Sequence, residues 1–276
     1  MSYTYKYPHP AVAADCVVFG FDGRELQVLL IERGLDPYKG CWAFPGGFMK
    51  IDESAEDCAK RELAEETSLH VQMLKQLGAF SAVHRDPRER VISIAFYALV
   101  QPSDVVGGDD ASQAKWFTIR DVPQLAFDHD FILRKAMQKL KEDIYFEPIG
   151  FELLDREFTM AELQRLYEAI LGVHFDRRNF EKKMLQTGII RLADGDDDMD
   201  DILMMTSDAM PVPPPQKSFF GSGKEMKTMD IDALFAPSAA AESRPSAKPG
   251  RKGRKFSFDK EKYNQFKQDH NFRFEF

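Results

Sequence analysis

Glu53, Arg61, Glu62, Glu65 and Glu66 stand at spacings that suit metal-assisted chemistry. On a helix, residues three and four apart share a side, so Glu62, Glu65 and Glu66 bring three carboxylates together. Like charges at that spacing repel unless something positive sits among them, and a divalent cation meets that need. All-oxygen donors, with no nearby Cys/His pair, favour Mg²⁺ or Mn²⁺ over zinc. Gly46 and Gly47 precede this stretch as a loop signal that lets backbone approach a phosphate, and a helix N-terminus beyond it attracts an anion. Carboxylates, a hard metal and a phosphate-approaching loop together suggest attack of water on a phosphate ester or anhydride. A solvated acidic helix face is the alternative for Glu65-Glu66 taken alone.

The elements that position these residues are legible as patterns. Asp15–Phe21 and Leu26–Arg33 flank Asp22-Gly23 as a hairpin. Cys41–Phe44 is a short strand, and Val91–Val100 is a buried one. Ser54 with Asp57 three residues on makes a capping-box start for a helix running to Thr67. Phe131–Lys141 is an amphipathic helix. Further on, Thr159 and Glu162 form a second capping box opening a helix that Gly172 ends. Asp176 starts another, with Phe180 and Met184 inward and Arg177, Arg178, Lys182 and Lys183 outward. Gly188 stops it, and Ile189–Leu192 reads as a strand. This is a helix–turn–helix followed by a strand.

The spacing Gly-x5-Glu-x7-Arg-Glu-aliphatic-x-Glu-Glu-x-Gly-aliphatic is met from Gly47 to Leu69 at every defined position but one. A chance match to its fixed positions is on the order of one in 10⁵ or rarer. The pattern resembles the Nudix box, and residues 13–143 resemble a Nudix domain. The resemblance implies an α/β fold, a Nudix α/β/α sandwich, that hydrolyses a nucleoside diphosphate linked to another moiety. It makes Glu62, Glu65 and Glu66 the metal ligands, with Glu65 or Glu66 also activating water. Arg61 then pairs with Glu53 to fix the loop–helix geometry. The departure is Ser68, where the family has Gly; the position calls for left-handed φ, so Ser costs ~1 kcal/mol of local strain rather than a ligand.

Three arginines in His84–Arg90 (Arg85, Arg88 and Arg90) suit phosphate or carboxylate, with a solvated turn as the alternative. The segment resembles the ADP-ribose-type branch of Nudix proteins. With Gly46 and Gly47 these arginines are the expected substrate contacts. His129 is expected to cap or pack a helix more readily than to touch the site, and Trp116 and Phe117 to belong to the core.

Residues 144–192 with 251–276 resemble the winged helix of Nudix-related transcriptional regulators of NAD metabolism (NrtR-like), and residues 8–143 are the Nudix part. The resemblance implies a homodimer that binds DNA under control of ADP-ribose or a sugar. Arg177, Arg178, Lys182 and Lys183, with Arg251, Lys252, Arg254 and Lys255 as a basic arm, are then the expected DNA contacts. Residues 193–250 depart from the family. Six Asp between Asp194 and Asp201, then a Pro/Ser/Ala/Gly-rich run, predict a long disordered insertion. Its opposite charge runs suggest that the acidic segment repels DNA or masks the basic arm. Phe272–Phe276 alternates at strand period and predicts that the tail folds back on the helix–turn–helix.

Composition frames both partners. The 276 residues, 43% hydrophobic, exclude a wholly disordered chain, and the net charge is −8. From Arg244 to Phe276 ten Lys/Arg oppose four Asp/Glu, a local +6, which leaves −14 on residues 1–243. Cys16, Cys41 and Cys58 give no disulfide framework. No apolar run approaches a membrane span and the N-terminus lacks a secretory apolar region, so the expectation is a cytoplasmic protein with no membrane partner.

Overall fold

A computed structural model describes residues 6–108, 111–193 and 254–268. The chain forms two compact units, residues 1–155 with 165–173 and residues 156–164 with 174–276. The expected insertion, Arg251, Lys252 and the Phe272–Phe276 strand lie outside the described residues, apart from Ala193 at the insertion's start.

The first unit is built on a mixed sheet. β1 (Ala11–Phe21) and β2 (Leu26–Arg33) form the expected hairpin. Its turn is fixed by Asp22, whose carboxylate accepts from the Arg24 and Glu25 N–H groups, and by Gly23 at φ +90°. β3 (Trp42–Ala43) and β4 (Gly46–Phe48) are short strands that pair with β2 and β1 respectively. β5 (Lys75–Phe80) is an edge antiparallel to β6 (Val91–Leu99), and β6 runs parallel to β1 along Ala11–Phe19. β7 (Ala111–Thr118) completes the sheet against β2. Trp116 and Phe117 lie on β7: the Trp116 indole N–H donates to the Ser103 carbonyl, and Phe117 meets Trp42 edge-on.

The two faces of β1 are covered by different helices. Ala14, Cys16 and Val18, at period two, pack with Cys58, Ala59 and Leu63 of α1 (Ala55–Thr67). Leu63 is fully buried, so its truncation to Ala would cost about 2–5 kcal/mol. The opposite face carries Asp15 and Phe19 toward α2 (His129–Asp143). There Phe19 meets Tyr97 edge-on, and the buried Tyr97 hydroxyl donates to Asp143. This is the expected mixed α/β layering.

α1 begins as its sequence dictates: the Asp57 N–H donates to the Ser54 hydroxyl at 3.2 Å. It ends at Ser68, which adopts φ 61°, the left-handed region that favours glycine.

In the second unit, Thr159 and Glu162 cap each other at the start of α3 (Met160–Leu171). α4 (Arg177–Thr187) is capped by Asp176, which accepts from Asn179 N–H, and closed by Gly188 at φ 63°. Phe180 and Met184 are its buried residues. β8 (Glu157–Thr159), β9 (Ile190–Leu192) and β10 (Lys255–Phe258) form a three-stranded antiparallel sheet with β10 central. α5 (Lys260–Gln268) follows. The division between the units falls within α3. Among the described residues no helix is long and apolar enough to cross a membrane.

Candidate active site

The Gly-Gly segment is a strand rather than a loop: it pairs antiparallel with β1, and close approach to β1 and Glu62 leaves no room for a Cβ at either glycine. A Cβ on Gly46 would stand 2.6 Å from Asp15 Oδ1 and collide with the Ala14 carbonyl, and one on Gly47 would collide with the Glu62 carboxylate. β4 therefore runs between β1 and α1, and the glutamates at i and i+4 lie along it. Gly46 N–H donates to Glu66 Oε2 at 2.9 Å, and Glu66 is 6% exposed.

Arg61 sits among the other acids. Its Nε and Nη2 bind Glu53 in a fork at 2.9 and 2.7 Å, the pairing that the resemblance implied. Nη1 also donates to Glu62 Oε1 at 2.7 Å and Glu65 Oε2 at 2.9 Å. Hydrogen bonds from Arg61, then from Lys50 N–H, hold the Glu53 carboxyl down at about 2. The same bonds, Glu53's first, raise the Arg61 guanidinium further above its ordinary value. Burial raises Glu62 against the pull of Arg61. Glu66 is pushed up to about 8, by burial first and then by the charges of Glu62 and Asp15, against the Gly46 hydrogen bond.

This donor set fits a hard divalent cation in kind. Every donor is a carboxylate oxygen, and the nearby Cys58 thiol, pushed by burial up to about 12, is no thiolate ligand. Among the described residues no group of three or more His, Cys, Asp or Glu side chains is already arranged to hold a metal ion. Arg61 instead bridges Glu62 and Glu65, while Glu66 turns to Gly46 N–H.

Beside β4 lies a cavity of about 50 Å³ lined by Asp15, Arg33, Phe48, Arg88, Phe127 and His129 among others. The three expected arginines part company here. Arg88 lines the cavity, held by Asp86 at 3.0 and 2.8 Å, with its guanidinium 5.2 Å from the Phe48 ring centre and 5.8 Å from that of Phe127. Arg85, 7% exposed, also lines the cavity, with its guanidinium forked on Asp128 at 3.1 and 2.7 Å and Asp15 at 3.6 Å. Arg90 is spent on the Ser81 and Ala82 carbonyls. The smaller cavity is lined by Gly47 and Phe48 of β4, and Gly47 packs on Glu62, whereas a wider groove of about 550 Å³ between β5 and α2 includes neither β4 nor the motif carboxylates.

Sequence reasoning passed over Asp15, Arg33, Asp128 and Phe127. Asp15 carried a signal, being the lone charge in the apolar run Ala11–Phe21. Arg33 lies 4.8 Å from the Phe127 ring centre and donates to the Pro37 carbonyl. Phe127 holds φ +55°, uncommon for a bulky residue and the kind of outlier that clusters at functional sites. His129 does pack, stacked on Phe44 at 5.1 Å, and its Nδ1 accepts the Phe44 N–H at 3.0 Å. It also lines the cavity.

In the second unit Arg177 and Arg178 are exposed on the first turn of α4, while Lys182 and Lys183 are half-buried. Lys255 and Arg254 are exposed at the start of β10, with Lys255 Nζ 3.9 Å from Glu162. Arg177 and Arg178 thus present two cations from the second helix of the helix–turn–helix.

Comparison with known proteins agrees with both architectures. A family model of the NUDIX domain matches residues 9–140, and one of the NrtR DNA-binding winged helix domain matches residues 150–199. An ADPR responsive transcriptional repressor, NtrR, of Acinetobacter baylyi is 32% identical over 193 residues, 68% of this chain and 77% of the relative. An ADP-ribose pyrophosphatase of Methanocaldococcus jannaschii is 42% identical over 132 residues, 48% of this chain and 76% of the relative. The crystal structure of Shewanella oneidensis NrtR superposes with a TM-score of 0.59 at 29% identity, covering 66% of this chain and 87% of the other.

Proposed function

The chain belongs to the Nudix family and carries a winged-helix domain of the NrtR type, and from that premise we propose that it is a divalent-metal-dependent hydrolase of a nucleoside diphosphate linked to a sugar. ADP-ribose is the substrate that fits best, with AMP and ribose 5-phosphate as products. The carrying observation is the intact acid set: Glu53, Glu62 and Glu65 on Arg61, with Glu66 against Gly46 and Glu62 against Gly47. A pure sensor has no chemical need of all three helix glutamates. The pyrophosphatase relative supports the choice of substrate.

Glu62, Glu65 and Glu66 would hold Mg²⁺ or Mn²⁺, which would supply charge neutralisation at the diphosphate and Lewis-acid activation of the attacking water. The chain's own groups account for the remainder. A water oxygen bonds to one phosphorus, the bridging P–O bond breaks, and the bridging oxygen departs with the other phosphate. The water's proton passes to Glu65 or Glu66. Glu65 is the more accessible, with 40% of its side chain exposed, and Glu66 is the more buried. Arg88 and Arg33, at the cavity wall, orient the diphosphate.

The winged helix favours a second reading, in which the Nudix unit senses ADP-ribose or a related sugar and a homodimer binds DNA. Arg177, Arg178, Lys182, Lys183 and the arm containing Arg251, Lys252, Arg254 and Lys255 then meet phosphates and base edges. The repressor relative from A. baylyi supports it. One paired experiment tests both readings: product analysis with ADP-ribose and Mg²⁺, and binding to the protein's own upstream DNA with and without ADP-ribose. AMP formation and ligand-released, salt-sensitive DNA binding are expected. An inert protein ends the first reading, and absent or salt-insensitive DNA binding ends the second.

A further inference from the structure

The floor of the cavity beside β4 holds a buried polar cluster that the hydrolytic machinery does not use. Asp15 accepts from the Ser93 hydroxyl, lies 3.6 Å from Arg85, and faces His129 Nε2 at 3.7 Å. His129 is 3% exposed and Asp15 7%. Because Nδ1 accepts the Phe44 N–H, the neutral ring must carry its proton on Nε2. Burial, outweighing the Asp15 charge, lowers the His129 pKa and so keeps the ring neutral.

The 3.7 Å gap is too long for a hydrogen bond between the two groups. It does suit one oxygen bonded to both, since ordinary bonds of roughly 2.7–2.9 Å close such a triangle. That oxygen must accept from Nε2–H and donate to a carboxylate. A hydroxyl does both, whereas a phosphate oxygen has no proton to give and is repelled by Asp15. Asp15 has lone pairs to spare beyond Ser93 and Arg85. The cavity, about 50 Å³, exceeds the roughly 10–15 Å³ that a single water needs. It reaches the surface beside Phe48, which is 40% exposed, and Arg88, close to where the diphosphate would lie.

We propose that Asp15 and His129 form a hydroxyl-recognition site, taking an alcohol group of the sugar that the ligand carries beyond its diphosphate. The proposal rests on the reading of this site as one for a nucleoside diphosphate linked to a sugar. It makes His129 a ligand contact, with Phe44 N–H as the device that fixes its tautomer. Arg85 and Asp128 are then positioning residues that hold Asp15 and the first turn of α2.

The test is calorimetry on the full chain in EDTA, comparing ADP-ribose with ADP, which lacks the distal sugar. His129→Asn retains an acceptor for Phe44 N–H and deletes the distal donor. Wild type is expected to prefer ADP-ribose, and His129→Asn to lose about 10- to 100-fold on ADP-ribose with ADP affinity unchanged. Should the variant fail to fold, ¹⁵N spectra of the wild-type histidine rings replace it. ADP-ribose, and not ADP, is expected to shift the His129 Nε2 signal. A variant that loses equally on both ligands or on neither, or an Nε2 signal indifferent to ADP-ribose, means a packing residue or a structural water alone and overturns the site. Wild type that binds neither ligand overturns the nucleoside-diphosphate reading itself, and this site with it.

Discussion

Glu66 links cation binding to pH. Its carboxyl is raised from 4.5 to about 8, chiefly by burial and then by Glu62 and Asp15. A cation held by Glu62, Glu65 and Glu66 needs that carboxylate ionised, so below pH 8 binding must expel a proton. At pH 7 Glu66 is then mostly protonated, and apparent Mg²⁺ or Mn²⁺ affinity should fall, by up to about tenfold per pH unit, as pH drops below 8. Titration calorimetry in buffers of different ionisation enthalpy should find a net release of roughly one proton per cation at pH 7. Stability runs the other way. Between 4.5 and about 8 the folded state binds more protons than the unfolded one. The metal-free protein is therefore most stable below pH 4.5 as far as this group is concerned. It loses on the order of a few kcal/mol as pH rises toward 8. Saturating cation should restore that loss, and Glu66→Gln should abolish it. Affinity that is flat from pH 6 to 8, with no buffer-dependent heat, would refute the reasoning.

Other perturbations follow from the same geometry. Arg61→Ala leaves Glu53, Glu62 and Glu65 without their shared cation, and with the guanidinium one-fifth exposed a loss of about 1–3 kcal/mol is expected in denaturant melts. Ser68→Gly relieves a left-handed cap and should raise stability by about 0.5–1 kcal/mol, read as a higher Tm; a lower Tm contradicts the strain. Burial pushes the Asp143 carboxyl up, but the Lys139 and Tyr97 hydrogen bonds, with the Lys75 and Lys139 charges, together outweigh it and hold Asp143 below its ordinary value. Its contribution is thus present above pH 3.8 and lost as pH falls further, and Asp143→Asn should flatten that acid limb. Arg177→Ala with Arg178→Ala should weaken binding across DNA sequences and reduce the salt slope by about one for each phosphate that is no longer neutralised.

What could be read from sequence alone was local. α1, its Ser54 cap and its left-handed end at Ser68 follow from short-range rules, as do the Asp22 hairpin and the Thr159–Glu162 and Asp176 caps. β4 escaped notice because two of its three residues are glycine, and only their close approach to β1 and Glu62 explains why. β5 and β7 carry weak alternation and owe their strand form to β6 and β2. Asp15, Arg85 and His129 are brought together from three distant elements, so no spacing rule joins them. The sequence marked Arg85 as a phosphate or carboxylate contact but could not say that its carboxylate is Asp128, forty-three residues away.

The central claim, hydrolysis by the α1 acids, is tested most directly by single-turnover conversion of ADP-ribose with Mg²⁺ in wild type and Glu65→Gln, alongside ADP-ribose affinity for each. Formation of AMP by wild type, slowed about 100-fold or more in Glu65→Gln with affinity kept within a few-fold, is the predicted result. Equal rates in the two proteins, or no AMP from wild type, would contradict it.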